Sequence, residues 1–180
     1  MSDLDLEIPQ DFVVFHPLIV GLLLDISLQH CKNGKRFIDI VKNGLVEWLT
    51  SLSSDDRALV WPQQEFPPRP GATVATVASY ESPIPYPIKT AFQTTLECVG
   101  AEDRDAHKYL IYITDRYKDV DAYAIRRSIV ANEVRRYGTL FLLLGLGEHY
   151  DKSLGALGGI YHHLGDPYEL LGALKKLGDL

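Results

Sequence analysis

The sequence predicts a three-layer, doubly wound α/β fold: a mostly parallel β-sheet with one antiparallel edge strand and helices on both faces. Runs that are apolar at almost every position, such as LIVGLLL at 18–24 and TLFLLLGLG at 139–147, are typical of parallel strands buried on both faces. Longer segments with apolar residues at three- and four-residue steps alternate with these runs. Such alternation is expected when helices connect the strands of a parallel sheet.

The first predicted unit is a buried strand followed by an amphipathic helix. An N-terminal arm at 1–16 leads into the strand at 18–24, and residues 17–180 are expected to form one domain, because 180 residues suffice for a single full core. The helix is predicted at 34–53. Its apolar residues follow helical spacing, namely Phe37, Val41, Leu45, Trp48 and Leu52.

The next segment is predicted to be a strand, a turn and a second strand. RALVW at 57–61 has the pattern of a short strand. PQQEFPPRPG at 62–71 is predicted to be a hairpin turn, because its prolines are incompatible with a helix interior. ATVATVAS at 72–79 carries β-branched residues in an alternating pattern, which predicts the antiparallel edge strand.

The middle of the chain is predicted to be a helix, a strand and a further helix. SPIPYP at 82–87 is a stiff loop that precedes a helix at 88–99. KYLIYIT at 108–114 is a strand that stops at Asp115. A helix is expected at 120–137, since its apolar residues share one side and Gly138 suits its end.

The last quarter of the chain adds two strands and two helices. The strand at 139–147 is followed by a short helix at 151–158 and a short strand, IYHHL, at 160–164. The final helix is expected from residue 166, with Asp166 as its N-cap and Pro167 at its first position.

Composition and charge exclude several classes of protein. The formal net charge of −6 argues against a general electrostatic footprint for nucleic acid or an anionic membrane. The two cysteines, Cys31 and Cys98, form no CxxC pair, so neither a disulfide framework nor a zinc motif is indicated. The N-terminus has no basic segment typical of a signal peptide, and the longest apolar run is too short to span a bilayer. The sequence therefore predicts a cytoplasmic protein.

Two aspartates mark the place where a ligand would bind. Asp25 and Asp115 each come at the carboxyl end of a predicted strand. In open α/β sheets, ligands bind outside these strand ends. We therefore expect both carboxylates at the functional rim of the sheet.

The motifs around these aspartates resemble those of von Willebrand factor A (VWA) domains. DISLQ at 25–29 occupies the place of the family's D-x-S-x-S motif, and Thr114 with Asp115 matches its T-D pair. The order of the later elements is also similar, so the resemblance covers about residues 17–177. It implies a Rossmann-like fold with a metal-ion-dependent adhesion site, in which Mg²⁺ or Mn²⁺ binds hydroxyl and carboxylate ligands and a partner's carboxylate often completes the shell.

Carried over to this chain, the family's metal ligands are only partly present. Asp25, Ser27 and Asp115 match, but Gln29 replaces the second serine, and Tyr86 stands near the place of the threonine. Mg²⁺ requires near-octahedral oxygen ligands at about 2.0–2.1 Å, and two lost hydroxyls would leave a site dependent on several waters. We expect a degenerate site with no cofactor, or only weakly bound Mg²⁺ or Mn²⁺.

The resemblance implies a non-enzymatic protein–protein interaction or scaffold module. Its docking rim would comprise residues 25–31, 80–87, 115–119 and 146–150. The residues expected to contact the partner protein are Gln29, Tyr86, Arg116 and Glu148. Two alternatives stay open: a VWA domain that binds its ligand through Mg²⁺ or Mn²⁺, and an α/β enzyme or small-molecule-binding domain that uses Asp25 and Asp115.

Overall fold

The computed structural model describes most of the chain between His16 and Asp179. The described residues are 16–63, 67–81, 89–101, 105–115, 138–147 and 160–179. The strands are β1 (Leu18–Asp25), β2 (Cys31–Lys32), β3 (Lys35–Arg36), β4 (Arg57–Val60), β5 (His107–Thr114), β6 (Thr139–Leu146) and β7 (Ile160–Leu164). The helices are α1 (Phe37–Ser51), α2 (Pro70–Ala78), α3 (Lys89–Gly100) and α4 (Leu170–Lys175), with short 3₁₀ helices at Pro167–Glu169 and Lys176–Asp179.

Five strands form a parallel sheet in the order β4-β1-β5-β6-β7. All eight residues of β1 are buried, which agrees with its continuous apolar sequence. β1 lies between β4 and β5, and its last residue, Asp25, pairs in register with Thr114 at the end of β5. The α/β fold class predicted from the sequence is confirmed.

Helices cover both faces of this sheet. Alternate residues of β1 face opposite ways, so Val20 packs in one core with Leu45 of α1, whereas Ile19 packs with Val99 of α3. Apolar residues of α2 and α4 pack in the same core as α1. At Gly21, a Cβ atom would lie only 2.5 Å from the Thr95 side chain, so α3 packs closely against β1 at this glycine.

The strand predicted at 72–79 is wrong, because this segment belongs to helix α2. Pro70 starts the helix, and the two side chains it buries one turn apart are Thr73 and Val77. The Thr73 hydroxyl donates to the carbonyl oxygen of Ala58 at 2.6 Å, which fastens α2 to the edge strand β4. In the described residues, antiparallel pairing occurs instead in the small β2–β3 hairpin, outside the main sheet.

Several predicted elements are outside the described residues, and one is divided. The helices expected at 120–137 and 151–158 lie outside them, as do residues 1–15 of the expected arm. The final helix is a 3₁₀ turn, a short α-helix and a second 3₁₀ turn. Its predicted cap is present: the Asp166 side chain accepts a hydrogen bond from the Tyr168 backbone at 3.0 Å.

None of the described helices combines the length and the apolar character that crossing a membrane requires.

Candidate functional site

The carboxyl-terminal edge of the sheet brings the two predicted aspartates close together. Asp25 ends β1, and Asp115 directly follows β5, one residue beyond the partner of Asp25. Both are buried, with exposures of 1% for Asp25 and 4% for Asp115. Buried carboxylates require hydrogen-bond donors, and the donors of the two residues differ.

Asp25 is enclosed within the fold. Its Oδ2 accepts hydrogen bonds from the Tyr112 hydroxyl at 2.8 Å and from the Thr114 hydroxyl at 3.5 Å. Tyr112 is itself fully buried. Because side chains alternate along a strand, those of Asp25, Tyr112 and Thr114 lie on the α3 side of the sheet. Asp25 therefore forms its hydrogen bonds with the neighbouring strand, β5, inside the fold.

Asp115 holds the loop that connects β1 to the hairpin. Its Oδ1 accepts from the Ser27 backbone N–H at 2.8 Å, and its Oδ2 lies 2.7 Å from Nδ1 of His30. The Asp115 side chain has no exposure, whereas that of His30 is 52% exposed. Because a carboxylate can only accept, the imidazole Nδ1 is the donor. Asp115 therefore orients a histidine that remains in contact with solvent.

The loop around His30 is fixed at several further points. The Ser27 hydroxyl accepts from the Gln29 backbone at 3.2 Å, and the His30 carbonyl accepts from the Phe37 backbone at 2.8 Å. The His30 ring packs edge-on against Phe37, with ring centroids 5.8 Å apart. These contacts define the position of the imidazole relative to the sheet.

A groove of about 400 Å³ opens beside this histidine. Its lining includes Gln29, His30, Lys32, Phe37 and Asp115, together with the carboxyl end of β6. The β2–β3 hairpin forms one wall of the groove, since Cys31 and Lys32 belong to β2.

An ion pair connects the hairpin to the C-terminal helices. Lys32 Nζ lies 3.0 Å from Asp166 Oδ2, so the hairpin is held near the start of the 3₁₀ helix. The backbone N–H of Tyr168, and then the Lys32 ammonium, hold the pKa of Asp166 below its ordinary value. Asp166 is thus stabilised as a carboxylate beside Lys32, which lines the groove.

Not every residue predicted for the rim can be placed. Ser27 and Gln29 lie beside the groove in the loop after β1, and Gln29 is exposed. Tyr86, Arg116 and Glu148 lie outside the described residues, so their roles stay predictions.

His30 and the hairpin were missed by the sequence reasoning. The dipeptide Asn33-Gly34 was the available signal, because Asn-Gly is a strong hairpin turn sequence. Both residues have positive φ angles, 52° for Asn33 and 75° for Gly34, as such a turn requires. In contrast, no local pattern pairs His30 with Asp115, which is 85 residues away.

The side chains expected to bind a metal ion form hydrogen bonds within the protein. Each oxygen of Asp115 accepts one hydrogen bond, and the Ser27 hydroxyl accepts from the Gln29 backbone. Across the described part of the chain, no group of three His, Cys, Asp or Glu side chains is arranged to hold a metal ion. The assignment of Asp25, Ser27 and Asp115 as metal ligands stays a prediction.

Comparisons with known proteins identify the fold. No protein-family model and no curated protein sequence matches this chain. Among solved structures, proximal thread matrix protein 1 from the mussel byssus is similar with a TM-score of 0.59 and 15% identity, over 91% of this chain and 47% of that protein. This chain thus spans about half the length of the mussel protein.

Two bacterial structures show the same likeness. An aerotolerance-related membrane protein from Bacteroides fragilis has a TM-score of 0.55 and 14% identity, over 90% of this chain and 98% of that one. The pilus adhesin SpaC from Lactobacillus rhamnosus GG has a TM-score of 0.60 and 11% identity, over 91% of this chain and 30% of that one. At these identities the likeness shows the fold alone, and it is consistent with the VWA-like fold indicated by the sequence.

Proposed function

We propose that this chain is a non-enzymatic protein-interaction module of the VWA type that docks a partner protein through the rim around Asp115 and His30, without a bound metal ion. The observation that carries this proposal is that each oxygen of the buried Asp115 carboxylate accepts a hydrogen bond from the protein, one from Ser27 and one from His30, beside an open groove. Protein donors thus stabilise the buried charge without a metal ion, while the groove beside it stays accessible.

The composition of the rim supports a protein as the ligand. Leu28, a large apolar side chain, is 43% exposed in the loop beside the groove, next to the exposed Gln29. An apolar side chain flanked by polar groups is common in the contact surfaces of transient protein complexes. The rim thus combines an apolar contact with hydrogen-bonding groups that would set the orientation of a partner.

The similar structures support this class of function at a coarse level. One is a matrix protein of the mussel byssus and another is a pilus adhesin. A fold used in matrix and adhesive proteins suits an interaction module, although fold likeness by itself does not establish function. The cytoplasmic location predicted from the sequence stays a prediction.

Site-specific photo-cross-linking in lysates of cells that express the protein would test the proposal. A photoreactive amino acid would be placed at Gln29 on the rim, or at Gln93, a glutamine on α3 that is also exposed, as the matched control. We expect Gln29, but not Gln93, to give defined protein adducts that persist when the complex is formed in excess EDTA. Mass spectrometry would identify the adduct.

Two results would contradict this function. Equal adduct patterns at Gln29 and Gln93 would mean that the rim is not the docking surface. Adducts at Gln29 that EDTA abolishes and Mg²⁺ restores would mean that docking depends on a metal ion.

A further inference from the structure

We propose that the N-terminal arm of the chain docks through residues 3–8, as an extended segment, in an apolar groove between α4 and the strands β6 and β7. This second groove is separate from the rim, and the two have no lining residue in common. The inference therefore goes beyond the docking function and does not depend on it. The side chains that enter the second groove would be those of Leu4, Leu6 and Ile8.

The second groove has the size and the lining of a binding site. Its volume is about 460 Å³, and pockets of about 300–1,000 Å³ commonly hold ligands. Leu142 and Leu144 of β6 and Leu164 of β7 line it on the α1 side of the sheet, and α4 forms one wall. A Cβ atom at Gly172 in α4 would meet no atom within 4 Å, so this wall leaves room for the side chains of a docked segment.

Exposed apolar side chains lie at both ends of the second groove. Leu140 is 51% exposed, and Tyr168, which lines the groove, is 48% exposed. Leu140 precedes Leu142 by two residues, so the two leucines share one face of β6. Exposed apolar surface that continues from a groove indicates that another segment covers it.

The sequence of the arm matches an extended segment with one apolar side. In DLDLEI at 3–8, Leu4, Leu6 and Ile8 alternate with acidic residues, and Pro9 follows directly. In an extended chain, this alternation places the three apolar side chains on one side and the carboxylates on the other. The apolar side would cover the leucines of the second groove, while the acidic side would stay in contact with solvent.

Charge at one end of the second groove is complementary to the arm. Residues 3–11 contain four carboxylates and no lysine or arginine. Lys176 lines the groove and is exposed, and no carboxylate in the described part of the chain forms an ion pair with it. Glu169 lines the opposite end, so the charge favours a segment whose carboxylates lie nearest Lys176. Because an exposed ion pair contributes little affinity, it would orient the arm, and apolar burial would supply most of the binding.

The arm is long enough to reach the second groove. The His107 backbone N–H donates to the Pro17 carbonyl at 2.9 Å, which fixes the end of the arm at the amino end of β5. β7 is two strands away from β5, and neighbouring strands are about 4.8 Å apart, so the distance to cross is about 10 Å. Residues 9–16 span up to about 26 Å when extended, at about 3.3 Å per residue. The excess length allows the arm to pass the end of α4 before residues 3–8 enter the groove.

Engineered disulfides in the full chain would test the inference. With Cys31 and Cys98 replaced by serine, the pair Leu6→Cys and Gly172→Cys would be oxidised in dilute solution, and mass spectrometry would follow formation of the internal disulfide. The control joins Leu6→Cys with Gly71→Cys, because Gly71 is also an exposed helical glycine whose added Cβ meets no atom within 4 Å. We expect the groove pair to close at least about tenfold faster, since docking raises the effective concentration of the two thiols.

A second change separates docking from the mere proximity of a tethered segment. Leu4→Ser and Ile8→Ser keep the length of the arm but remove two of its apolar contacts. Added to the groove pair, they should slow formation of the disulfide at Gly172 to a rate near that of the control pair.

NMR provides a measurement that needs no engineered cysteine. Replacing Leu4, Leu6 and Ile8 together by serine in the otherwise unmodified chain should shift the backbone amide signals of residues 162–164 and 172–177. The signals of residues 29–32 at the rim should stay unchanged, which would also show that the variant is folded.

Three results would overturn the inference: equal rates for the groove pair and the control pair, a rate at Gly172 that the serine changes do not alter, or groove amide signals that they do not shift. A covalent dimer in place of the internal disulfide would also overturn it, and would assign the second groove to the arm of another copy of the chain. These results leave the docking function at the rim unaffected, because the adducts at Gln29 test that function separately.

Discussion

The surroundings of Asp25 and Asp115 differ although both aspartates lie at adjacent strand ends. Asp25 is in register with Thr114, and Asp115 comes one residue later. Because side chains alternate across a sheet, this single step directs the two carboxylates to opposite faces. Asp25 binds Tyr112 on the α3 side, whereas Asp115 binds the half-exposed His30 on the α1 side.

The comparison separates an enclosed region from an open one. On the α3 side, the helix approaches β1 closely at Gly21, and Asp25 is bound by buried hydroxyls. On the α1 side, the loop and the hairpin leave a groove above Asp115. We infer that the enclosed region stabilises the fold, while the open region is available to a partner. The following predictions test this division, beginning with the largest expected effect.

The close packing at Gly21 should make the enclosed region intolerant of even one methyl group. In Gly21→Ala, the new Cβ would lie 2.5 Å from Thr95 Cγ2 and 2.9 Å from Val99 Cγ2, both on stiff β-branched side chains. We expect the free energy of unfolding to fall by about 1–3 kcal/mol, measured by urea denaturation. Gly71→Ala is the control, since a Cβ there meets no atom within 4 Å. Equal stability of the two variants would contradict the close packing.

The enclosed and open regions should lose different amounts of stability when the side chain that donates to the aspartate is replaced by an apolar one. Tyr112→Phe deletes a buried hydroxyl that donates to a carboxylate, so we expect a loss of about 1.5–3 kcal/mol in the free energy of unfolding. His30→Ala removes a half-exposed donor and leaves room for water to reach Asp115 in its place, so the loss should be smaller. Denaturation of both variants measures the difference. A larger loss for His30→Ala would mean that the rim is part of the structural core.

The two cysteines should differ in reactivity according to their region. Cys31 is exposed and lines the groove, whereas Cys98 is partly buried on α3. Burial raises the pKa of the Cys98 thiol, so less of the reactive thiolate is present at neutral pH. We expect iodoacetamide to modify Cys31 several-fold faster, as measured by peptide mass spectrometry. Cys31→Ser is the control. Rapid labelling that persists in this variant would mean that Cys31 is not the fast-reacting thiol.

The smallest expected effect concerns the ion pair between Lys32 and Asp166. The pKa of Asp166 is lowered in the folded chain, so its charge stabilises the fold above the unfolded-state pKa, and this contribution disappears as pH falls through the folded-state pKa. Asp166→Asn keeps a good N-cap residue but removes the charge. We expect a slightly lower Tm at neutral pH and no difference from the unmodified chain in strong acid. A difference that is independent of pH would show that the charge is not responsible.

The continuous apolar runs of β1, β5 and β6 were sufficient to predict the centre of the sheet, because only strands buried on both faces require such runs. The alternating pattern at 72–79 was ambiguous. Its β-branched residues suggested a strand, yet Thr73 and Val77 also match the one-turn spacing of a helix. In the structure this segment is a helix that packs beside β4, and the Thr73 hydroxyl donates a hydrogen bond to the Ala58 carbonyl.

The sequence by itself determined the α/β class, the strand ends that carry Asp25 and Asp115, and the Asp166 cap, because each depends on residues close together in the chain. Only the tertiary structure decided which aspartate is enclosed and which faces a groove. That outcome depends on the register between β1 and β5 and on the contact of His30 with Asp115 across 85 residues. Contacts between distant segments leave no local periodicity in a sequence, so they are defined only when the sheet assembles.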